Sequence, residues 1–450
     1  MSGIIDRRDF LKRAGAGALA IGTASLTGCS SGESSPVQEK ADMQMRTAPK
    51  SGDKVSLLGY GCMRWPMKKG SDGKDHIDQD AVNEMVDYAY RNGVNYYDTS
   101  PAYLQGQSEA AAGMALSRYP RDSYYIATKL SNFGDASREA GLKMYHDSMK
   151  DLRTDYFDYY LLHAIGGSYE QFEKRYMDNG LLDFLLAERE AGRIRNLGFS
   201  FHGRKEVFDQ FMELHEKYHW DFVQIEMNYV DWKHAKAPMN VNADYLYDEL
   251  HKRGIPMTIM EPLLGGRLAN LPDAVAAKMK EREPQMSLAS WAFRFCGSYP
   301  GILTVLSGMS SMDPLVENVE TFSHFKALDE EELGFLQEMA DLMENYPTVP
   351  CTGCTYCMPC PYGIDIPTIF RHYNNAVNAG DIAQSCEQDH FQRLKRRYLV
   401  SYDRAVESVR QADHCIGCGQ CKPHCPQSID IPRELKRIDR YVEKLKRETL

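Results

Sequence analysis

The chain has 450 residues, which is too many for one hydrophobic core, so two or three domains are expected. Its 43% hydrophobic and 26% charged residues are typical of a globular protein. A formal net charge of −10 argues against nucleic acid as a partner, because phosphate binding needs a basic surface. Of the twelve cysteines, eight lie in two short runs near the carboxyl end, which argues against a disulfide framework.

The first 29 residues predict a targeting segment. Arg7 and Arg8 open the motif RRDFLK, and a weakly apolar run from Ala14 to Leu26 follows, which is too short to span a bilayer. This segment resembles a twin-arginine export signal, the route for proteins that fold before they cross the membrane. A disordered basic tail is the alternative. The signal predicts a periplasmic or cell-envelope location.

A second pattern lies at the end of the apolar run. The residues LTGC, ending at Cys29, resemble a lipobox, which would make Cys29 the acylated first residue of the mature protein. The Ser-rich residues 30–52 would then be a linker to the folded part. Lipid-anchored and free forms both stay open, because firm anchoring needs two acyl signals or more.

Residues 53–345 alternate short apolar runs with amphipathic stretches. Each run is apolar nearly throughout, as in strands that are buried on both faces. The stretch AVNEMVDYAYRNG between two runs is helical in pattern and ends at Gly93, as a helix C-cap would. Eight such units predict an α/β fold, a (β/α)8 TIM barrel; a doubly wound sheet is the alternative, but no GxGxxG follows the first run. The runs are VSLLGYG, VNYYDTS, YYIATKL, FDYYLLH, IRNLGFS, FVQIEMN, PMTIMEP and GILTVLSG.

Polar residues lie at the ends of three of these runs. Asp98 is near the end of the second run and Tyr103 follows that run. Lys129 is near the end of the third run, and His163 is the last residue of the fourth. The catalytic residues of a barrel lie where strands end, so we expect these four side chains to meet. An ammonium group beside a phenol should lower its pKa, a carboxylate should hold the ammonium, and a histidine can donate to a carbonyl. The set could protonate an oxygen while hydride arrives at the adjacent carbon.

These residues lie in a series of motifs that resembles the aldo-keto reductases over roughly residues 53–325. The motifs are, in order, YYDTSPAYLQGQSE, IATK, DYYLLH, LGFS, QIEMN, EPLLGGRL and SGMSSMDPLVEN. By that resemblance Tyr103 is the general acid/base, Asp98 and Lys129 tune it, and His163 orients the carbonyl. The resemblance implies a small carbonyl or alcohol substrate and NAD(P)(H) as the hydride carrier.

The resemblance also implies a set of cofactor contacts. Ser200 and Gln224 would contact the nicotinamide carboxamide. The remaining contacts would be Gly265, Gly266 and Arg267 at the pyrophosphate, and Ser307, Gly308, Ser310, Glu317 and Asn318 at the adenosine end. The sequence departs from the family pattern at Phe201, where Asn is usual, and at Met260, where a stacking aromatic is common. The choice between NAD and NADP stays open.

Residues 346–450 carry two cysteine combs, each followed by Pro and by the sequence IDIP. The second comb has the C-x2-C-x2-C-x3-C-P spacing of two-cluster ferredoxins, in which the fourth Cys binds the other cluster. The first comb is one residue shorter before its fourth Cys. Two [4Fe-4S] clusters are therefore predicted; zinc is the alternative. The predicted ligands are Cys351, Cys354, Cys357 and Cys425 for one cluster, and Cys415, Cys418, Cys421 and Cys360 for the other.

The residues between the combs read as helices, so we expect a helix-rich, ferredoxin-like module. Clusters are loaded before export, and a folded-protein exporter can carry them across a membrane. The whole sequence predicts an exported oxidoreductase whose barrel is coupled to two clusters. Two alternatives remain: an electron-transfer or redox-sensing subunit with the barrel as a docking scaffold, and a plain reductase with structural clusters. A redox partner protein is expected where electrons pass through the clusters.

Overall fold

Eight parallel strands close into a barrel in the computed structural model, which describes residues 42–236, 239–344, 346–425, 427 and 429–450. The predicted export signal, Cys29 and most of the predicted linker lie outside the described residues. The strands are β1 Met45–Thr47, β2 Lys54–Ser56, β3 Leu58–Gly61, β4 Met67–Lys69, β5 Asp75–Ile77, β6 Tyr96–Asp98, β7 Tyr125–Leu130, β8 Phe157–Ile165, β9 Ile194–Phe201, β10 Phe222–Glu226, β11 Met257–Met260 and β12 Ile302–Ser307.

The order around the barrel is β3-β6-β7-β8-β9-β10-β11-β12, with β12 returning to β3. Every neighbouring pair is parallel. Each of the eight apolar runs contains one barrel strand, so the predicted (β/α)8 fold is confirmed. Two antiparallel hairpins, β1-β2 and β4-β5, were not predicted. Their strands have three residues each, which is too short to show the alternation of apolar and polar residues that is typical of a strand.

Helices cover the outside of the barrel and form most of the region that follows it. They are α1 Gln79–Arg91, α2 Ser108–Leu116, α3 Arg138–Asp151, α4 Tyr169–Phe172, α5 Leu181–Glu190, α6 Lys205–Tyr218, α7 Asp231–His234, α8 Ala243–Lys252, α9 Asp273–Arg282, α10 Leu288–Ser298, α11 Met312–Ser323, α12 Glu330–Glu344, α13 Ile366–Asn378, α14 Phe391–Ala405 and α15 Ile431–Arg447. The predicted helix before Gly93 is α1, and Gly93 follows it with φ of 87°, a left-handed conformation that suits glycine.

The repeated IDIP sequence begins a helix each time it occurs. Asp365 accepts a hydrogen bond from the backbone N–H of Thr368 (3.4 Å), and Asp430 accepts one from that of Arg433 (3.3 Å). Proline follows in the first turn of α13 and of α15, where its missing N–H costs nothing. The repeat therefore encodes two N-caps that turn the chain away from each comb.

Three hydrophobic clusters result among the described residues. One joins strands of the barrel to the surrounding helices, with Phe199 and Phe211 among its buried side chains. A smaller one includes Tyr96, Tyr159 and Phe222 of the strands. The carboxyl-terminal module has a core of its own that includes Phe370 and Ile438. Within the described ranges, no helix has both the length and the apolar character needed to cross a bilayer.

One buried carboxyl group lies behind the barrel wall. Glu109, in the first turn of α2, is 2% exposed and accepts hydrogen bonds from Thr128 Oγ1 (2.5 Å) and Ser148 Oγ (3.0 Å). Burial raises the pKa of Glu109 from 4.5 to about 7, against the effect of these hydrogen bonds. The folded protein therefore holds this proton more tightly than the unfolded chain does.

This proton links stability to pH. The contribution of the protonated Glu109 is fully present below about pH 4.5 and is lost as the pH rises through about 7. Glu109→Gln keeps a neutral side chain at every pH. It should therefore remove on the order of 3 kcal/mol from the change in the free energy of unfolding with pH. We expect its melting temperature, measured by circular dichroism without oxygen, to exceed that of the wild type at pH 8 and to match it near pH 5. Equal pH dependence in both proteins would contradict this assignment.

Candidate active site and cluster sites

Four polar side chains meet at the carboxyl ends of neighbouring strands. Asp98 is the last residue of β6, Lys129 lies near the end of β7 and His163 lies in β8. Tyr103 begins a short turn, Tyr103–Gly106, soon after β6. Because β6, β7 and β8 are adjacent and parallel, their ends bring the four residues, here called the tetrad, to one mouth of the barrel.

A buried ion pair lies at the base of the tetrad. Lys129 Nζ is 2.6 Å from Asp98 Oδ1 and also donates to the backbone carbonyl of Thr99 (2.9 Å). Gln224 Nε2 donates to the other oxygen of Asp98 (3.1 Å). The side chains of Lys129 and Asp98 are 1% and 4% exposed. Each buried charge is thus paired and hydrogen-bonded, which is the condition for keeping it in a low-dielectric interior.

Tyr103 lies above this pair. Lys129 Nζ is 5.1 Å from the centre of its ring, and the His163 ring is 5.9 Å away, edge to face. The sequence predicts that Lys129 lowers the pKa of Tyr103, but in the structure the net shift is upward. Burial, and then the charge of Asp98, raise the pKa of Tyr103 well above 10. Tyr103 therefore stays protonated at neutral pH, as a proton donor must.

His163 is held neutral and in a fixed orientation. Its Nδ1 lies 2.5 Å from Ser131 Oγ and 3.3 Å from Ser100 Oγ. Burial lowers the pKa of His163 well below 6.5, and the charge of Lys129 lowers it further. When a serine hydroxyl donates to Nδ1, the proton of the neutral ring is on Nε2, which can donate to a substrate oxygen.

The two serines were missed in the sequence. Ser100 lies inside the motif DTSPAY, and Ser131 follows the strand that carries Lys129. Their hydroxyls are 2.8 Å apart, so they form one small network behind His163. Only their place directly after barrel strands could have indicated them, and serine is common in such loops.

A second charged group borders the mouth. His202 follows β9, Glu226 ends β10 and Glu261 follows β11. His202 Nδ1 is 3.2 Å from Glu226 Oε1, and although burial opposes it, this contact raises the pKa of His202. Burial, and then Glu226, raise the pKa of Glu261. Arg64 lies close enough to Glu261 to counter this shift.

The residues expected at the nicotinamide lie beside the tetrad. Ser200 Oγ accepts from the backbone N–H of Ala164 (2.8 Å), so its proton is free to be donated elsewhere. Gln224 uses one amide hydrogen on Asp98 and keeps its carbonyl oxygen for another partner. Both residues therefore retain a polar atom suited to a carboxamide, and this end of the site fits the expected cofactor.

In the loop expected at the pyrophosphate, one backbone amide already has a partner within the protein. The backbone N–H of Gly265 donates to Glu261 Oε2 at 2.5 Å, so an internal carboxylate already occupies this amide. Gly266 has open space beside its Cα, and burial lowers the pKa of Arg267, with Asp231 next to it. A pyrophosphate at Gly265 would require Glu261 to leave.

The residues expected at the adenosine end surround the end of β12. Asn318 Nδ2 donates to Ser307 Oγ (3.0 Å), and both side chains are buried. Gly308, Ser310 and Glu317 are exposed beside them. The structure thus brings this set together at the strand that adjoins β11.

Four thiols from distant parts of the chain surround one cavity. Phe370 and Ile429 are among the apolar walls of this cavity. Burial raises the pKa of Cys357 to about 11, and its neighbouring thiols raise it further. The four cysteines, here called the first group, are Cys351, Cys354, Cys357 and Cys425. Thiols around an apolar cavity fit an iron-sulfur cluster.

The second group takes Cys360 from the first comb. Burial raises the pKa of Cys421, and so do the nearby thiols of Cys415, Cys418 and Cys360. The combs are thus crossed in space as their spacing predicts. In the described part of the chain, no three or more His, Cys, Asp or Glu residues converge closely enough for a single metal ion.

Two family models match this chain. The model described as aldo/keto reductase family matches residues 57–341, and that described as 4Fe-4S dicluster domain matches residues 350–430. The L-galactose dehydrogenase of Arabidopsis thaliana is 25% identical over 67% of this chain and 96% of its own length. The D-arabinose 1-dehydrogenase of Saccharomyces cerevisiae is 34% identical over 26% of this chain and 36% of its own.

Solved structures resemble the barrel. The holo form of an aldo-keto reductase from Bacillus halodurans has a TM-score of 0.53 and 23% identity, over 66% of this chain and 96% of that one. An aldo-keto reductase from Klebsiella pneumoniae in complex with NADPH has a TM-score of 0.52 and 19% identity, with the same coverage. At these identities the likeness shows the fold alone.

The contact between Ser131 and His163 can be tested by Ser131→Ala. Loss of one hydrogen bond, worth about 1 kcal/mol, should lower kcat for carbonyl reduction roughly five- to tenfold. Nitrogen NMR of the ring should show a mixture of tautomers in place of the Nε2–H form. A single unchanged tautomer in the variant would contradict the role of Ser131, and Ser117→Ala, on the exposed surface, is the control.

The crossing of the combs can be tested with serine substitutions. Cys425→Ser should give the same EPR spectrum as Cys354→Ser, because both residues belong to the first group. Cys360→Ser should instead match Cys418→Ser, and each variant should keep about half of the iron. If Cys425→Ser matches Cys418→Ser, the cysteines are not crossed.

Proposed function

Because this chain belongs to the aldo/keto reductase family and carries a 4Fe-4S dicluster domain, we propose that it is an exported enzyme that couples carbonyl–alcohol interconversion to electron transfer through two [4Fe-4S] clusters. The chain is an oxidoreductase. The observation that carries the proposal is the tetrad, in which a protonated Tyr103 and a neutral His163 converge above a buried ion pair.

Each residue of the tetrad has its own role in the reduction of a carbonyl. His163 Nε2–H orients the carbonyl oxygen by a hydrogen bond, and Tyr103 delivers a proton to the same oxygen. Lys129 stabilises the phenolate that remains, while Asp98 keeps the ammonium in place. NAD(P)H, when bound, supplies the hydride for the carbonyl carbon, so one carbonyl and one proton give one alcohol. Ser200 and Gln224 would hold its carboxamide.

The electron count supports a pair of clusters. Oxidation of one alcohol to a carbonyl releases two electrons and two protons, and each [4Fe-4S] cluster accepts one electron. Because NAD(P)(H) moves both electrons together as a hydride, they would pass between it and the two clusters through a carrier that exchanges a hydride for single electrons, such as the flavin of a redox partner protein. The eight cysteines in two crossed groups support this number.

The proposed location is the periplasm or another envelope space. The RRDFLK motif supports twin-arginine export, and a cluster-bearing tail explains why a route for folded proteins would be used. Acylation of Cys29 would tether the enzyme to the membrane. A redox partner protein would exchange electrons with the clusters.

Two relatives with sugar dehydrogenase names guide the choice of test compounds. L-galactose and D-arabinose belong in the test panel for that reason, beside benzaldehyde, which has no hydroxyl group. The carboxylates of Glu226 and Glu261 at the mouth could accept hydrogen bonds from sugar hydroxyls, which supports including them.

Tyr103→Phe removes the proton donor and keeps the ring. We expect kcat for the best compound of this panel to fall about 100-fold or more, measured with NADPH and NADH for benzaldehyde and with NADP+ and NAD+ for the two sugars. Cluster absorbance and iron content should not change, because Tyr103 is not a ligand of either cluster.

Tyr362→Phe, at an exposed tyrosine of the cluster module, is the matched control and should keep full activity. If Tyr103→Phe retains turnover, the tetrad is not the reaction site. The alternative of an electron-transfer or redox-sensing subunit, with the barrel as a docking scaffold, would then be favoured.

A further inference from the structure

The first comb lies against the mouth of the barrel. A Cβ atom placed on Gly265, in the loop after β11, would lie 3.0 Å from Thr352 Cγ2 and 2.9 Å from Gln427 Nε2. Thr352 follows Cys351, and Gln427 comes two residues after Cys425. Both cysteines belong to the first group, so this group sits directly above a loop of the barrel site.

Tyr356 lies between two cysteines of the first comb, four residues after Thr352, which borders the loop of Gly265. Its side chain is 47% exposed. An accessible aromatic side chain in a comb that borders this loop is placed to meet a ligand at the mouth of the barrel, and the electrostatic effect of Tyr356 on Tyr103 agrees with this position.

A second exposed aromatic residue borders the same mouth. Phe133 is 53% exposed, and its ring centre is 5.0 Å from that of His163. The barrel supplies Phe133 from the loop after β7, whereas the cluster module supplies Tyr356. Accessible aromatic side chains beside a few fixed polar groups are the usual lining of a small-molecule site.

The second group of cysteines is placed differently. Cys418 is exposed, and its neighbour Ile416 is 64% exposed. The two groups therefore differ in their surroundings: the first adjoins the barrel loop, and the second reaches solvent.

We propose that Tyr356 is a substrate-contacting residue of the barrel site, so that the cluster module forms one wall of the pocket and the first group is the one that responds to a bound ligand. This inference rests on the proposed function. Its physical basis is that a ligand against Tyr356 changes the solvation of the adjacent first cluster, and solvation tunes a cluster's reduction potential.

Tyr356→Ala and Tyr362→Ala form a matched pair for the test. Both tyrosines are 47% exposed; Tyr356 directly precedes Cys357, and Tyr362 comes two residues after Cys360. Cys357 belongs to the first group and Cys360 to the second. The full-length protein, purified without oxygen and freed of NAD(P)+ so that an alcohol cannot be oxidised, is titrated electrochemically and followed by EPR with and without benzyl alcohol.

In the wild type and in Tyr362→Ala, benzyl alcohol should shift the potential of the first cluster and leave the second unchanged. In Tyr356→Ala this shift should disappear. The KM for benzaldehyde should rise about tenfold in Tyr356→Ala with kcat nearly constant, as expected for lost ground-state binding. Tyr356→Phe should restore most of the binding if the ring makes the contact.

The outcomes separate the two proposals. If the wild type reduces no compound of the panel, the proposed function fails. If benzaldehyde is reduced but Tyr356→Ala behaves like Tyr362→Ala, or if benzyl alcohol shifts neither cluster or only the second, the wall role of Tyr356 is overturned and the proposed function stands.

Discussion

The buried ion pair between Asp98 and Lys129 is the interaction on which the barrel site depends. Two charges at the mouth of a closed barrel are tolerated because each satisfies the other, and because Thr99 and Gln224 take the remaining hydrogen bonds. If one partner were removed, the other charge would remain buried and unpaired, a state that costs several kcal/mol. The pair and these hydrogen bonds thus hold both side chains in place.

Burial is the main cause of the protonation states around this pair. It keeps Tyr103 protonated and His163 uncharged, and the charges of Asp98 at Tyr103 and of Lys129 at His163 act in the same direction as burial. Ser131 and Ser100 contact Nδ1 of His163 and hold the ring in place. Electrostatic preorganisation of this kind is the largest contribution to the rate enhancement of many enzymes.

The carboxyl-terminal module contributes more than metal ligands to this site. Its first comb is held by contact with the loop after β11, and the amide of Gly265 in that loop is bound by Glu261. Cofactor loop, carboxylate and comb therefore form one continuous contact. A rearrangement of any of the three would displace the other two, because packed interiors transmit small displacements.

The sequence by itself determined the α/β class, since eight apolar runs must be buried on both faces, and the missing GxGxxG after the first run favoured a barrel over a doubly wound sheet. It also determined the two cysteine combs and the tetrad, because cluster and proton-transfer chemistry restrict residue type and spacing. Only the tertiary structure decided that burial and Asp98 raise the pKa of Tyr103, that Ser131 contacts His163, and that the first comb lies against the loop of Gly265. These contacts join residues from different strands and domains, and local sequence carries no record of how far apart side chains lie once the chain has folded.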